Sequence, residues 1–205
     1  MNWEVKEKYL AISWEKVEEA CFNLSRKIEL SEYKPEIIVA ISRGGLVPAR
    51  LIADHIGVPE LTSMEIQFYK GMKEAIPRPI ITQDISTSVR EKNILIVDDV
   101  VDSGRSMKAA YEHLKKRGAY AFRLAVLYKK PWSLIKPDYF VYETDFWIIF
   151  PWEVSESLLA LYEKFRKRGL SEEEILNELE KIGFERKKME DLISFHKRYG
   201  RIKEA

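Results

Sequence analysis

The stretch that decides the fold is Asn93-Ile94-Leu95-Ile96-Val97-Asp98-Asp99-Val100-Val101-Asp102-Ser103-Gly104-Arg105-Ser106-Met107. Its four consecutive apolar residues, 94–97, are typical of a parallel strand that is buried on both faces. The strand is predicted to end in two acids, and the small polar turn 103–106 then opens a helix that carries residues 107–117. Such a turn directs backbone N–H groups and the positive end of the helix toward one place, which favours a phosphate ligand.

Three carboxylates accompany this anion site: Asp98, Asp99 and Asp102. They would repel an anionic ligand unless a divalent cation lay between the protein and that ligand. Asp98 and Asp99 are therefore predicted to hold Mg²⁺ against a diphosphate. Asp102 lies one turn further on, nearer the phosphate turn, and remains available for another role. The alternative is an ordinary strand-to-helix turn of a doubly wound sheet, where acids often occur at strand ends.

A second unit of the same kind comes earlier in the chain. An apolar strand over residues 37–41 is followed by Ser42-Arg43-Gly44-Gly45 and by a helix over about 46–55. Two glycines let the backbone approach an anion, and Arg43 supplies charge-assisted hydrogen bonds. A helix-entry turn with a solvated arginine is the alternative. Strands that alternate with helices predict a mostly parallel sheet that binds ligands at the carboxyl ends of its strands, where both turns lie.

Composition limits the classes of function. The 205 residues carry a net charge of +1 with 33% charged side chains, so no global field attracts nucleic acid or an anionic membrane. A single cysteine, Cys21, excludes an internal disulfide and is predicted to be a packed thiol. No apolar stretch reaches the roughly 18 residues of a membrane span, and the N-terminus has no signal-peptide pattern. The expected location is cytoplasmic.

Beyond Pro151 the apolar residues follow helical spacing, which predicts three helices. Ser171 and Glu174 form a predicted capping box, and Gly183 is expected to end the second of these helices. The predicted division is a main domain over residues 1–152 and a helical C-terminal extension over 153–205. Residues 69–79 are polar and contain Gly71, Pro77 and Pro79, a composition that predicts a mobile loop without regular structure.

The acidic strand end with its Asp-Ser-Gly-Arg-Ser turn resembles the signature of the type I phosphoribosyltransferases, which bind 5-phosphoribosyl 1-pyrophosphate (PRPP). Ser42-Arg43-Gly44-Gly45 resembles the pyrophosphate loop of the purine branch, and the following Leu46-Val47-Pro48-Ala49 is close to the bacterial xanthine-guanine enzymes. The resemblance covers about residues 10–153. It implies the α/β type I phosphoribosyltransferase fold, with a mostly parallel central sheet flanked by helices.

The resemblance also implies a base-binding site. In the 6-oxopurine branch, a lysine at a strand end donates to the 6-oxo group, an aromatic ring stacks on the purine, and the next carbonyl meets the exocyclic edge. Lys130, Trp147 and Ile148 match these positions, and Lys129 takes the first role if the register slips by one. An ammonium group donates to a carbonyl and does not accept from the amino group of adenine, so the site discriminates by pairing.

The remaining roles follow from the same resemblance. Asp102 is expected to be the general base. Tyr69 marks the flexible loop that closes over PRPP, although the serine that precedes this tyrosine in many relatives is lacking here. Glu153 stands where bacterial relatives have aspartate and is expected to assist a second Mg²⁺ through water. The expected PRPP-binding residues are Asp98, Asp99, Ser103, Gly104, Arg105, Ser106, Ser42, Arg43 and Gly44.

The function implied is transfer of ribose 5-phosphate from PRPP to hypoxanthine, guanine or xanthine, with release of pyrophosphate. The expected partners are PRPP, a purine base and further copies of the chain in a homodimer or higher homo-oligomer. The alternative is a PRPP-sensing regulator of the same fold that binds RNA or DNA. Residues 153–205 carry 12 Lys or Arg and 12 Asp or Glu, a balance without the basic stripe that nucleic-acid binding requires. Neither nucleic acid nor membrane is expected as a partner.

Overall fold

The structure of the protein is a computed structural model that describes residues 8–69 and 78–202. Its helices and strands follow in chain order: β1 (Tyr9–Ala11), α1 (Trp14–Leu30), β2 (Ile37–Ser42), α2 (Leu46–Ile56), β3 (Glu60–Tyr69), β4 (Arg78–Gln83), β5 (Asn93–Val101), α3 (Arg105–Lys116), β6 (Ala121–Lys129), β7 (Tyr139–Glu143), β8 (Trp147–Ile149), α4 (Val154–Lys167), α5 (Glu172–Ile182) and α6 (Arg186–Arg198). The backbone contacts divide the chain into two compact units, residues 15–145 and the described parts of 1–14 and 146–205.

The unit of residues 15–145 contains a six-stranded sheet in the order β4-β3-β2-β5-β6-β7. All neighbouring strands run parallel except β4, which is antiparallel to β3. The predicted α/β fold with a mostly parallel sheet is confirmed. The central strands β2 and β5 are covered on both faces, as their uninterrupted apolar runs predict.

The thiol of Cys21 lies on the buried face of α1. Burial raises the pKa of this thiol to about 12, so it stays protonated at neutral pH. The prediction of a packed thiol is confirmed.

The second unit pairs β1 with β8 in parallel and buries the apolar faces of α4, α5 and α6 in one core. The three predicted helices are confirmed. The capping box is present as well, because the Ser171 hydroxyl accepts from the Glu174 N–H while the Glu174 carboxylate accepts from the Ser171 N–H. Gly183 ends α5 as expected.

The structure differs from the sequence predictions in two places. The strand β5 continues beyond the two acids as far as Val101. The acids therefore lie inside the strand, where β5 still pairs with β6. The prediction that Pro79 breaks any element is wrong, because Pro79 lies in β4 opposite Phe68. Since β4 is an edge strand of the described sheet, it is the kind of strand in which a proline is tolerated. The prediction of an irregular loop is also wrong for Tyr69 and Arg78, which pair with each other in β3 and β4. The rest of the predicted mobile loop, residues 70–77, lies outside the described residues.

The predicted domain boundary between residues 152 and 153 stays a prediction. In the structure, residues 146–152 group with the C-terminal helices. The reason is local, because β8 pairs with β1 and Ile149 packs into the helical core.

Candidate active site

The two glycine turns lie side by side because β2 and β5 are parallel neighbours, with Ala40 opposite Val97. Both strands end at the same edge of the sheet. Gly44 of the first turn lies against the acidic end of β5, since a methyl group added at its Cα would overlap the carboxylate of Asp99. A side chain at position 44 would displace the Asp99 carboxylate, so glycine lets the backbone of the first turn lie close to the acidic end of β5.

The two acids of β5 share a confined space. The Asp98 carboxylate accepts from the Asp99 N–H at 3.0 Å, and the Asp99 carboxylate accepts from the Val100 N–H at 2.7 Å. Asp99 is buried. Burial, followed by the negative charge of Asp99, raises the pKa of Asp98 well above its ordinary value. A divalent cation would relieve this repulsion, so the acidic pair fits Mg²⁺.

Across residues 8–69 and 78–202, no three His, Cys, Asp or Glu side chains cluster in a way that holds a metal ion by themselves. Magnesium is usually bound through one or two carboxylates together with substrate phosphates and water, rather than by an all-protein cage. Binding of Mg²⁺ at the acids of β5 stays a prediction.

The phosphate turn has the backbone that an anion site needs. Gly104 precedes α3 with φ of 82°, a left-handed conformation that favours glycine. The hydroxyl of Ser103 accepts from the Arg105 N–H at 3.5 Å, and α3 follows directly. The N–H groups in the first turn of a helix have no partner within the helix and carry the positive end of its dipole. The turn is therefore suited to a phosphate group.

The other turn is anchored to the neighbouring strand. The hydroxyl of Ser42 donates to the Met64 carbonyl of β3 at 2.9 Å, and the Ser42–Arg43 peptide bond is cis. The Arg43 carbonyl accepts from the Leu46 N–H at 3.2 Å, which leads into α2. The Ser42 side chain thus fixes the turn to the sheet, and backbone groups and Arg43 are what the turn offers to a ligand.

The two neighbouring lysines at the end of β6 have different surroundings. Lys129 forms an ion pair with Glu143 of β7. Lys130 is only 8% exposed, and its N–H donates to the Val101 carbonyl at the end of β5. Burial lowers the pKa of Lys130, while the nearby carboxylates of Asp102 and Asp145 oppose that change. Of the two, Lys130 is the lysine on the side of the acidic strand end.

Asp102 is exposed and receives a hydrogen bond that the sequence analysis missed. The indole Nε1–H of Trp132 donates to the Asp102 carboxylate at 2.6 Å. In the sequence, the one indication of this hydrogen bond is an aromatic N–H donor two residues after Lys130. The side chains of Asp102, Lys130 and Trp132 are thus brought together at one edge of the sheet.

The other predicted residues lie in the second unit or at the limit of the described chain. Trp147 is exposed at the start of β8, and the next residue, Ile148, is buried opposite Leu10. The Glu153 carboxylate accepts from the Phe150 N–H at 3.1 Å. Tyr69 is the exposed last residue of β3. The roles of these residues in base, metal and PRPP binding stay predictions.

Comparison of the sequence with known proteins relates the chain to one protein family. The family model described as "Phosphoribosyl transferase domain" matches residues 12–157. The chain is 29% identical over 157 residues to a xanthine-guanine phosphoribosyltransferase of Idiomarina loihiensis, a match that covers 75% of this chain and 92% of that protein. Its identity to the protein of that name from Nitratidesulfovibrio vulgaris is 31% over 149 residues, or 71% of this chain and 85% of the relative.

Solved structures give the same result. The crystal structure of a purine phosphoribosyltransferase from Pyrococcus horikoshii is similar to this fold with a TM-score of 0.65 and 38% sequence identity. The match covers 71% of this chain and 93% of that protein. A xanthine-guanine-hypoxanthine phosphoribosyltransferase from Helicobacter pylori matches with a TM-score of 0.63 and 25% identity, over 74% of this chain and 98% of that protein. Separately, no helix in the described part of the chain is long and apolar enough to cross a membrane.

Proposed function

The chain belongs to the phosphoribosyltransferase family, and on that premise we propose that it is a purine phosphoribosyltransferase of purine salvage. It transfers the ribose 5-phosphate group of PRPP to a ring nitrogen of a 6-oxopurine (hypoxanthine, guanine or xanthine) and releases pyrophosphate. The observation that carries the proposal is the contact of Gly44 with Asp99, which places the first turn against the strand that leads into the phosphate turn at Gly104. Two anion-binding turns and an acidic pair are what a diphosphate ester with a separate 5-phosphate requires.

The phosphate groups of PRPP divide between the two turns. The 5-phosphate binds the backbone N–H groups of residues 103–106 at the start of α3. The pyrophosphate binds the turn 42–44, where Arg43 donates to its oxygens. Asp98 and Asp99 would hold Mg²⁺, which would supply positive charge against the negative charge that develops on the leaving pyrophosphate.

The base is recognised by its 6-oxo group. Lys130 donates to this oxygen, and a base without an acceptor at that position loses this hydrogen bond, so the site discriminates between bases. Trp147 stacks on the purine ring and the carbonyl of Ile148 meets the exocyclic edge. Lys129 is the weaker candidate for the first role, because its ammonium is already paired with Glu143.

Proton transfer falls to Asp102. The ring nitrogen that attacks the anomeric carbon loses a proton, and Asp102 stands apart from the acidic pair that fits the metal. A carboxylate within reach of the base takes that proton as the C–O bond to pyrophosphate breaks. We also propose that Glu153 assists a second Mg²⁺ through water and that Tyr69 belongs to the loop that closes over PRPP.

The regulator alternative is not favoured by the relatives of this chain, which are named as transferases. Cytoplasmic localisation and assembly as a homodimer or higher homo-oligomer remain predictions from the sequence.

The test of the proposed function is a steady-state assay of pyrophosphate release with PRPP, Mg²⁺ and each of four bases. Hypoxanthine, guanine or xanthine should support turnover, whereas adenine should not. Turnover with adenine alone, or with none of the four, would contradict the proposal. Tight and strongly salt-dependent binding of RNA or DNA in the same preparation would favour the regulator alternative instead.

A further inference from the structure

The hydrogen bond from Trp132 Nε1 to Asp102 Oδ1, at 2.6 Å, gives the proposed general base a partner outside the family signature. We propose that Trp132 is a positioning residue that holds the Asp102 carboxylate in the orientation in which it accepts the purine proton. This inference rests on the proposed function, since the orientation of Asp102 matters to the rate only if Asp102 is the base.

Trp132 belongs to a short segment, residues 132–135, that contacts the phosphate turn and the residue before it at successive positions. Beyond the bond from Trp132 to Asp102, the Leu134 N–H donates to the Ser103 carbonyl at 3.3 Å. Ile135 then lies directly against Gly104, where a built Cβ would be 2.7 Å from Ile135 Cγ1. Residues 102–104 therefore have a matching partner in the segment 132–135.

The segment has a fixed shape of its own. The hydroxyl of Ser133 donates to the Ile135 carbonyl at 2.9 Å and accepts from the Ile135 N–H at 3.3 Å. Such a local turn limits how far Trp132 can shift along the phosphate turn. The indole is thus anchored on both sides, by its own segment and by Asp102.

Burial does not account for the place of this tryptophan. Trp132 is 54% exposed, so it contributes little to a hydrophobic core, and its one polar atom points at a carboxylate. A hydrogen bond to an ionised acceptor is about twice as strong as one between neutral groups. A carboxylate has a second oxygen and further lone pairs, so the bond to Oδ1 leaves Asp102 able to accept a proton from a ligand.

The same indole lies beside the lysine of the base site. The ammonium of Lys130 is 5.6 Å from the centre of the Trp132 ring, within the range of a cation–π contact. Trp132 therefore contacts both groups that are proposed to touch the purine, the proton acceptor and the donor to the 6-oxo group. A rigid ring in contact with both groups restrains their positions.

The test is the Trp132→Phe substitution, which keeps an aromatic ring and removes the donor, in the parent and in the Asp102→Asn background. The measured quantity is the single-turnover rate of transfer to guanine at saturating PRPP and Mg²⁺. In the parent we expect the rate to fall about tenfold, the equivalent of 1.4 kcal/mol, with the affinity for PRPP unchanged. In the Asp102→Asn background, Trp132→Phe should change nothing, because no base remains to be positioned.

Trp14→Phe is the matched control, since Trp14 is also 54% exposed. Its transfer rate should equal that of the parent. An equal loss from Trp132→Phe in both backgrounds, or no loss in the parent, would overturn the positioning role while leaving the proposed function intact. If Asp102→Asn were itself as fast as the parent, the base role of Asp102 would fail instead, and the two failures are therefore distinguishable.

Discussion

The strand-end edge of residues 15–145 and the helices α4–α6 use charged side chains in opposite ways. At the edge, like charges stand side by side, as Asp98 and Asp99 do in a confined space. Among the helices, opposite charges meet. Arg186 contacts Glu173 at 2.5 Å and Glu180 at 2.9 Å, and Lys197 contacts Glu172 at 2.6 Å.

This difference in charge arrangement distinguishes a functional site from a region that maintains the fold. Exposed ion pairs such as those of the helices are each worth about 0–1 kcal/mol and need no ligand to balance them. Adjacent carboxylates with a raised pKa are unfavourable in the folded chain unless a cation or another ligand compensates them, which is typical of functional sites. Substitutions at the edge should therefore change chemistry, and substitutions among the helices should change stability.

The largest expected effect is on the stability of the helices. Leu179 is fully buried in their core, so Leu179→Ala should lower the free energy of unfolding by about 2–5 kcal/mol. Transfer rates below the melting temperature should remain those of the parent. Thermal and urea unfolding measure the loss. Leu30→Ala, at a leucine that is 76% exposed, is the control and should change stability little.

Removal of the proposed base is expected to have the largest effect on chemistry. Asp102→Asn should slow transfer by roughly a hundredfold or more, the scale of a lost general base, while PRPP still binds. Single-turnover rates and calorimetry with PRPP measure the two quantities. Loss of PRPP binding together with the rate would show that Asp102 serves the phosphate site rather than the purine.

The two lysines at the end of β6 sharpen the comparison within the edge itself. Lys130→Met should lose about 1–3 kcal/mol of transition-state stabilisation with guanine and hypoxanthine, because their carbonyl would be desolvated without a donor. Lys129→Met breaks the ion pair with Glu143 and should leave kcat/KM for these bases nearly unchanged. The reverse result would mean that the register is off by one residue. Neither substitution should make adenine a good substrate.

The smallest effect concerns pH and the helices. His196 is fully buried, and its Nε2 lies 2.9 Å from the Ser155 hydroxyl. Burial, followed by the charge of Arg201, lowers the pKa of His196 below its ordinary value of 6.5. The folded helices thus bind fewer protons than the unfolded chain, so this contribution to stability is complete above pH 6.5 and is lost as the pH falls below it.

The loss should not exceed about 1.4 kcal/mol per pH unit for a single group. The loss of stability is measured by urea unfolding at several pH values between 5 and 8, spaced by ~1 unit, the range in which histidine titrates. His196→Asn should flatten the dependence in this range. An unchanged slope in that variant would assign the pH dependence to other groups.

Continuous or periodic apolar patterns are what made much of the fold predictable. The four apolar residues of β5 and the helical spacing after Pro151 each predicted the right element. A strand buried on both faces has a continuous apolar run, and a helix buried on one face has apolar residues at helical spacing. The edge strand β4 was not predicted because proline usually interrupts a strand. Proline is tolerated in an edge strand, but the position of a strand at the edge depends on the order of strands in the sheet, which the local sequence does not show.

The site was predictable only where its parts are consecutive in the chain. The acids and the phosphate turn lie in one motif, and β2 and β5 bring the other turn beside them. The bond between Trp132 and Asp102 joins residues 30 positions apart in the sequence, and no local pattern encodes that distance. The same reasoning applies to Glu143, whose pairing with Lys129 depends on the register of β6 and β7.

The most direct test of the central claim is calorimetric titration of PRPP into the protein with and without Mg²⁺, repeated with Asp99→Asn. The claim is that the two turns and the acidic pair form one site for PRPP and its cation. It predicts that PRPP binds more tightly with Mg²⁺ and that Asp99→Asn removes this gain while the protein stays folded. PRPP affinity that is absent, or that is the same with and without Mg²⁺ in both proteins, would contradict the account.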